Sequence, residues 1–166
     1  MGFGYLGGVL TSRTRKSGYV WQLDPGLCIA CDRCAKSCVL EVSAVKCFQD
    51  YAICGYCDLC TGFFEPKPIA LETGAENQLC PTGALVRKFV EDPYYEYSVN
   101  RELCIGCGKC VKGCRAFGNG SLYLQVAHDR CLGCNECAIA IACPVGAFRR
   151  VPVERPYLSP RRGAET

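Results

Sequence analysis

Histidine is nearly missing from this 166-residue chain: His128 stands alone. An enzyme needs an acid, base or nucleophile poised for its reaction, and the residue most often used for that work is all but absent. There is no glycine-rich phosphate loop and no dinucleotide fingerprint. No stretch approaches the ~20 apolar residues that would span a bilayer. Basic residues collect near the two ends, at Arg13, Arg15, Lys16, Arg149, Arg150, Arg155, Arg161 and Arg162, without the interleaved aromatics of a nucleic-acid groove, so nucleic acid is not an expected partner. The first ten residues are glycine-rich and lack a basic n-region, which speaks against a secretory signal and for a cytoplasmic protein, with any membrane association made through a partner complex. Aliphatic core is scarce as well, because much of the 49% hydrophobic content is cysteine. Chains this poor in core usually depend on covalent or metal staples.

Cysteine supplies the staples. Of 17 cysteines, sixteen fall into four blocks that each open with Cys-x2-Cys-x2-Cys. The blocks are Cys28, Cys31, Cys34 with Cys38; Cys54, Cys57, Cys60 with Cys80; Cys104, Cys107, Cys110 with Cys114; and Cys131, Cys134, Cys137 with Cys143. Cysteines three apart are hard to pair as disulfides and easy to place around one metal centre. Three thiolates at this spacing wrap one side of a cubane, while the fourth, further on, is placed to ligate a neighbouring cluster. Four blocks therefore predict four [4Fe-4S] clusters and an electron-transfer role. A structural zinc protein is the competing class, but tetrahedral zinc is normally served by two separated pairs of ligands. The formal charge of +3 counts every cysteine as a neutral thiol. With sixteen thiolates and four oxidised cores the charge would lie near roughly −5.

The blocks repeat in twos. The second and fourth close with Cys-Pro-x-Gly-Ala, at Cys80–Ala84 and Cys143–Ala147, whereas Cys38 and Cys114 lack the proline. This period predicts an N-terminal extension over 1–16, a first unit over 17–92 with an insertion at 61–79, a second unit over 93–152 and a C-terminal tail over 153–166. A strand-like run precedes the first cysteine of each unit, at 19–25 and 95–99, and a short apolar run, at 84–86 or 147–148, ends it. Asn119-Gly120 followed by 121–126 reads as a hairpin. From Val39 to Ile53 no clear strand is legible, and a helix or irregular segment is expected. The insertion, with Pro66, Pro68 and Gly74, reads as a surface loop, either a plain excursion or a partner-binding feature. The fold class expected is α+β, with short strands and short helices around the clusters.

Residues 28–38 (Cys-Ile-Ala-Cys-Asp-Arg-Cys-Ala-Lys-Ser-Cys) and 104–114 (Cys-Ile-Gly-Cys-Gly-Lys-Cys-Val-Lys-Gly-Cys) resemble bacterial-type two-cluster ferredoxin motifs, and the Cys-Pro-x-Gly-Ala endings resemble the closing half of the same module. The resemblance covers about 19–152. It implies a polyferredoxin: two tandem ferredoxin-like [4Fe-4S] domains. In that family the fourth cysteine crosses to the other cluster of its pair. Carried over in tandem, the ligand sets are Cys28, Cys31, Cys34 and Cys80; Cys54, Cys57, Cys60 and Cys38; Cys104, Cys107, Cys110 and Cys143; and Cys131, Cys134, Cys137 and Cys114. A nested pairing, block one with four and two with three, occurs in iron-sulfur subunits of molybdopterin oxidoreductases and is the alternative. Cys137 to Cys143 is x5 where the family has x3. Over the whole chain there is a weaker resemblance to iron-sulfur proteins accompanying FMN-binding flavoproteins of the Rnf or Nqr-like kind.

The resemblance implies an electron-wire subunit between redox partners, a flavoprotein or membrane oxidoreductase, with any catalytic site on a partner; a freely diffusing polyferredoxin is the alternative. Gly106, Gly108, Gly113 and Gly133 let backbone amides approach the sulfurs. Asp32, Arg33, Asp58, Lys109 and Glu136 read as exposed loop charges that could shift potentials. His128 reads as a surface or hydrogen-bonding residue, not a ligand. Cys47, outside the blocks, reads as a small buried hydrophobe with a redox-active or cluster-adjacent role as the alternative.

Overall fold

The computed structural model describes residues 18–51, 54, 57, 59–64 and 79–154. The chain forms β1 (Tyr19–Leu23), α1 (Arg33–Ser37), β2 (Val45–Gln49), β3 (Leu85–Glu91), β4 (Tyr94–Val99), α2 (Lys109–Phe117), β5 (Leu122–Val126), α3 (Ala138–Ala142) and β6 (Phe148–Pro152). This mixture of short helices and antiparallel strands is α+β, as expected. Among the described residues no helix is long and apolar enough to cross a membrane.

The strands pair in nested order. β1 runs antiparallel to β6, β2 to β5 and β3 to β4, as three two-stranded sheets. Two tandem units would pair β1 with β3 and β4 with β6; instead all three sheets join a strand before the 92/93 boundary to one after it. The expected boundary at 92/93 falls inside the tight β3–β4 turn, where register runs from Glu91 to Tyr94. The physical reason is burial. Every residue of β5 is buried, and Val45 and Cys47 of β2 lie against Val126 and Leu124. Leu23, Val45, Leu122, Leu124 and Val126 are each at most 2% exposed. At about 1.5–3 kcal/mol per buried aliphatic side chain, the thin core is concentrated where the halves meet.

Polar groups lock this junction. Gln125, fully buried, accepts from the Leu23 N–H through Oε1 and donates through Nε2 to the Leu23 carbonyl, both at 2.9 Å, which ties β1 to β5. Lys46, also fully buried, donates from Nζ to the Cys104 carbonyl. Each satisfies groups that would otherwise be desolvated without a partner.

Three local expectations are corrected. The segment 39–53 contains β2, which the buried Lys46 disguises by breaking the apolar pattern. Asn119-Gly120 is not a hairpin turn: it ends α2, with the amides of Gly118 and Gly120 donating to the Cys114 carbonyl, and β5 pairs with the distant β2. The insertion begins in the core, since Phe63 is 3% exposed, and Leu79 N–H returns to the Phe63 carbonyl at 2.8 Å. Residues 65–78, the terminal segments 1–17 and 155–166, and Asp58 lie outside the described residues.

Candidate metal centres

Each cysteine triad leads into a helix or a tight turn. Cys28 and Cys31 lie in the loop before α1, which carries Cys34; Cys104 and Cys107 precede α2, which carries Cys110 and Cys114; Cys137 caps α3 and Cys143 follows it. The fourth cysteine of each group comes from the other half of the chain. Cys143 is an electrostatic neighbour of both Cys28 and Cys34. Cys38 stands in the same relation to Cys131, Cys80 to Cys107 and Cys114 to Cys60. The cavities agree: one is lined by Cys38, Cys131, Cys134 and Cys137, a second by Cys80, Cys104, Cys107 and Cys110, a third by Cys54, Cys57, Cys60 and Cys114. The tandem exchange, Cys80 with Cys28 and Cys38 with Cys54, is not what the fold brings together, because β1–β6 and β2–β5 pairing places block one beside block four and block two beside block three.

The grouped thiols are crowded and mostly buried or half-buried. Burial raises the thiol pKa values of Cys28, Cys104, Cys107 and Cys131, and burial with the repulsion of neighbouring cysteines pushes Cys34 up to about 12 and Cys60 to about 11. Thiolates crowded in this way need positive charge among them to ionise together. Amide donors already point at the sulfurs. The Cys-Pro-x-Gly-Ala motif is a turn that folds its alanine amide onto its own cysteine, Ala84 N–H to Cys80 Sγ at 3.2 Å and Ala147 N–H to Cys143 Sγ at 3.3 Å. Ala30 N–H reaches Cys28 Sγ at 3.4 Å. Thiolate ligands, amide donors and low polarity suit an iron-sulfur cluster. Among the described residues, no group of three or more His, Cys, Asp or Glu has the placement for a single metal ion.

Several contacts had no legible signal in the sequence. Arg115 donates to the carbonyls of Cys28 and Pro25, binding α2 to the first cysteine loop and lowering the cost of a Cys28 thiolate. Trp21 Nε1 donates to the Cys134 carbonyl at 2.7 Å. His128 is buried, not on the surface, and its Nε2 lies 2.7 Å from the Trp21 carbonyl, so the hydrogen-bonding role holds. Asp32 caps α1 and pairs with Lys36 at 2.9 Å, while Arg33 donates to the Ala142 carbonyl and fastens α1 to α3. Cys47 is buried beside the third triad: its amide donates to Cys104 Sγ at 3.2 Å, and its thiol shares a 3.5 Å hydrogen bond with that of Cys110. That bond and burial raise the Cys47 pKa, while the same bond lowers that of Cys110 against the effect of its burial. On the same strand Gln49 Nε2 donates to Cys54 Sγ at 2.7 Å and to the Tyr97 carbonyl at 2.9 Å.

Short paired strands surround groups of four cysteines, with amides aimed at sulfur. Among known proteins, the chain is 33% identical over 78 residues to the "Putative electron transport protein YccM" of Escherichia coli (strain K12), across 47% of this chain and 21% of that one. It is 28% identical over 83 residues to Ferredoxin-3 of Nostoc sp. (strain PCC 7120 / SAG 25.82 / UTEX 2576), across 37% of this chain and 84% of that one. The match therefore spans about a fifth of the length of the Escherichia coli protein and most of the ferredoxin. No family model and no solved structure matches. The similarities support a ferredoxin-like iron-sulfur protein.

Proposed function

We propose that this chain is an electron-transfer protein holding four [4Fe-4S] clusters in nested ligand sets. The first site is Cys28, Cys31, Cys34 and Cys143; the second Cys54, Cys57, Cys60 and Cys114; the third Cys104, Cys107, Cys110 and Cys80; the fourth Cys131, Cys134, Cys137 and Cys38. The observation that carries this reading is the neighbourhood of Cys143 with Cys28 and Cys34, two ends of the chain meeting at one site. Bound clusters would supply one-electron chemistry at nearly constant geometry. The protein's part is to fix their order. α1 spans from Cys34 of the first site toward Cys38 of the fourth, α2 carries Cys110 of the third and Cys114 of the second, and the loops of the first and third sites touch, a Cβ on Gly108 lying 3.1 Å from that of Ala30. The route runs fourth, first, third, second.

A role within a larger oxidoreductase assembly fits the exposed β3–β4 hairpin, where Phe89, Val90, Tyr94 and Tyr95 face solvent and Pro93, Tyr94 and Tyr95 border the second site. A redox subunit, such as a flavoprotein or membrane oxidoreductase, would cover that end and supply any catalytic site.

Anaerobically purified protein should carry about 16 iron and about 16 sulfide; about four zinc and no sulfide would establish the zinc alternative. Cys28→Ala and Cys143→Ala should each cost about four iron, and the double variant no more than either, because both act on one site. Loss of about eight iron in the double variant would place the two cysteines on different clusters.

A further inference from the structure

β2 belongs to the first half of the chain and carries no cysteine of the four blocks, yet its side chains and backbone converge on sites built largely from other segments. Cys47 gives its amide to Cys104 Sγ and shares a 3.5 Å hydrogen bond with Cys110 Sγ, both in the third site. Two residues on, Gln49 gives its side-chain amide to Cys54 Sγ, in the second site, at 2.7 Å. Lys46, one residue before Cys47, holds the Cys104 carbonyl. All three are placed by the register of β2 against β5, which sets Lys46 opposite Gln125, Cys47 opposite Leu124 and Gln49 opposite Leu122.

The direction of these hydrogen bonds follows from chemistry. A cysteine that ligates iron is a thiolate and has no proton to give, so the proton shared with Cys110 must sit on Cys47. The Gln49 amide is oriented in the same way, since the Tyr97 carbonyl and a Cys54 thiolate can only accept. Reduction adds negative charge to the core and its thiolates, and a donor held against a thiolate stabilises that reduced state. Cys47 is 2% exposed, so water does not compete for this hydrogen bond.

We propose that β2 is a potential-setting strand: Cys47 and Gln49 donate hydrogen bonds to thiolates of the third and second sites, and each raises the reduction potential of the cluster at its own site. The proposal rests on the reading that these sites hold [4Fe-4S] clusters. It gives the electron route a direction, since raising the third and second sites draws electrons toward them from the fourth and first.

The test is an EPR-monitored redox titration of the full-length, fully loaded protein. Cys47→Ala should keep the iron and sulfide content of the unmodified chain and move one of four midpoints negative. Gln49→Leu should move a different one negative, and the double variant both. Cys47→Ser keeps a donor and should hold the midpoint near its original value. Cys47→Val fills the site without a donor and gives the same negative shift as alanine, even where alanine leaves a void. An unchanged midpoint in Cys47→Ala and Cys47→Val, a common shift of all four midpoints, or a serine variant that behaves like alanine would overturn the proposal. A protein that binds no iron and sulfide would overturn instead the cluster reading beneath it.

Discussion

Gly106 lies between Cys104 and Cys107 at φ +75°, and a Cβ there would stand 2.3 Å from the Val45 carbonyl oxygen. No flexible side chain can yield at that point, because the obstacle is the backbone of β2. The Gly106 amide also offsets part of the rise that burial causes in the Cys104 pKa. Gly106→Ala should therefore displace the loop and empty the third site, with iron falling from about 16 to about 12. The matching position in the first block is Ala30, left-handed at φ 51°. An L-residue there bears about 1–2 kcal/mol of strain, so Ala30→Gly should keep all iron and leave thermal stability equal or higher. Iron analysis and a thermal melt of both variants check the pair. The need for glycine at Gly106 was legible from its place between cysteines. That Ala30 and Asp32 adopt the same left-handed geometry was not, because nothing in alanine or aspartate announces it.

At the scale of elements, the strands that precede the cysteines were legible, and their partners were not. β1 and β4 each mix aromatic and β-branched residues with polar ones, but such a mixture says only that a strand is favoured. Which strand covers it is a long-range question. Leu23 pairs with Phe148, Trp21 with Arg150, and Arg149 adds an ion pair to Asp24 at 2.6 Å. β2 is not legible in the sequence because its second residue, Lys46, is a buried lysine, with the Cys104 carbonyl as partner in place of water. Pairing gives a direct prediction for β6. A chain ending at Ala147 strips β1 of its partner strand and exposes the apolar face holding the first and fourth sites. Iron should drop from about 16 to about 8, with the second and third sites retained. Tandem pairing would instead damage the third and fourth sites. Cys104→Ala in the truncated chain separates the two: iron falls further, to about 4, where the third site survives, and stays at about 8 where it is already lost.

For the whole molecule, the four cysteine blocks and their period of two were plain in the sequence, but a period of two is equally consistent with tandem and nested assembly. The motifs are local; the choice depends on which apolar faces meet. The halves here exchange strands at β1–β6 and β2–β5, and each proposed cluster site draws on both halves. A chain divided at 92/93, in the β3–β4 turn, distinguishes the two assemblies. Independent tandem domains would each hold about eight iron when expressed alone. In the nested arrangement neither half can complete a site: 1–92 has the first and second triads without Cys143 and Cys114, and 93–166 has the third and fourth without Cys80 and Cys38. Each half should therefore remain nearly free of iron. Produced together, they should combine one to one through the β2–β5 and β1–β6 pairs and recover about 16 iron per complex, as measured by size-exclusion chromatography with iron and sulfide analysis. Cluster assembly and the joining of the two halves are then one cooperative event, because the ligands that complete each site arrive only when the central strands pair.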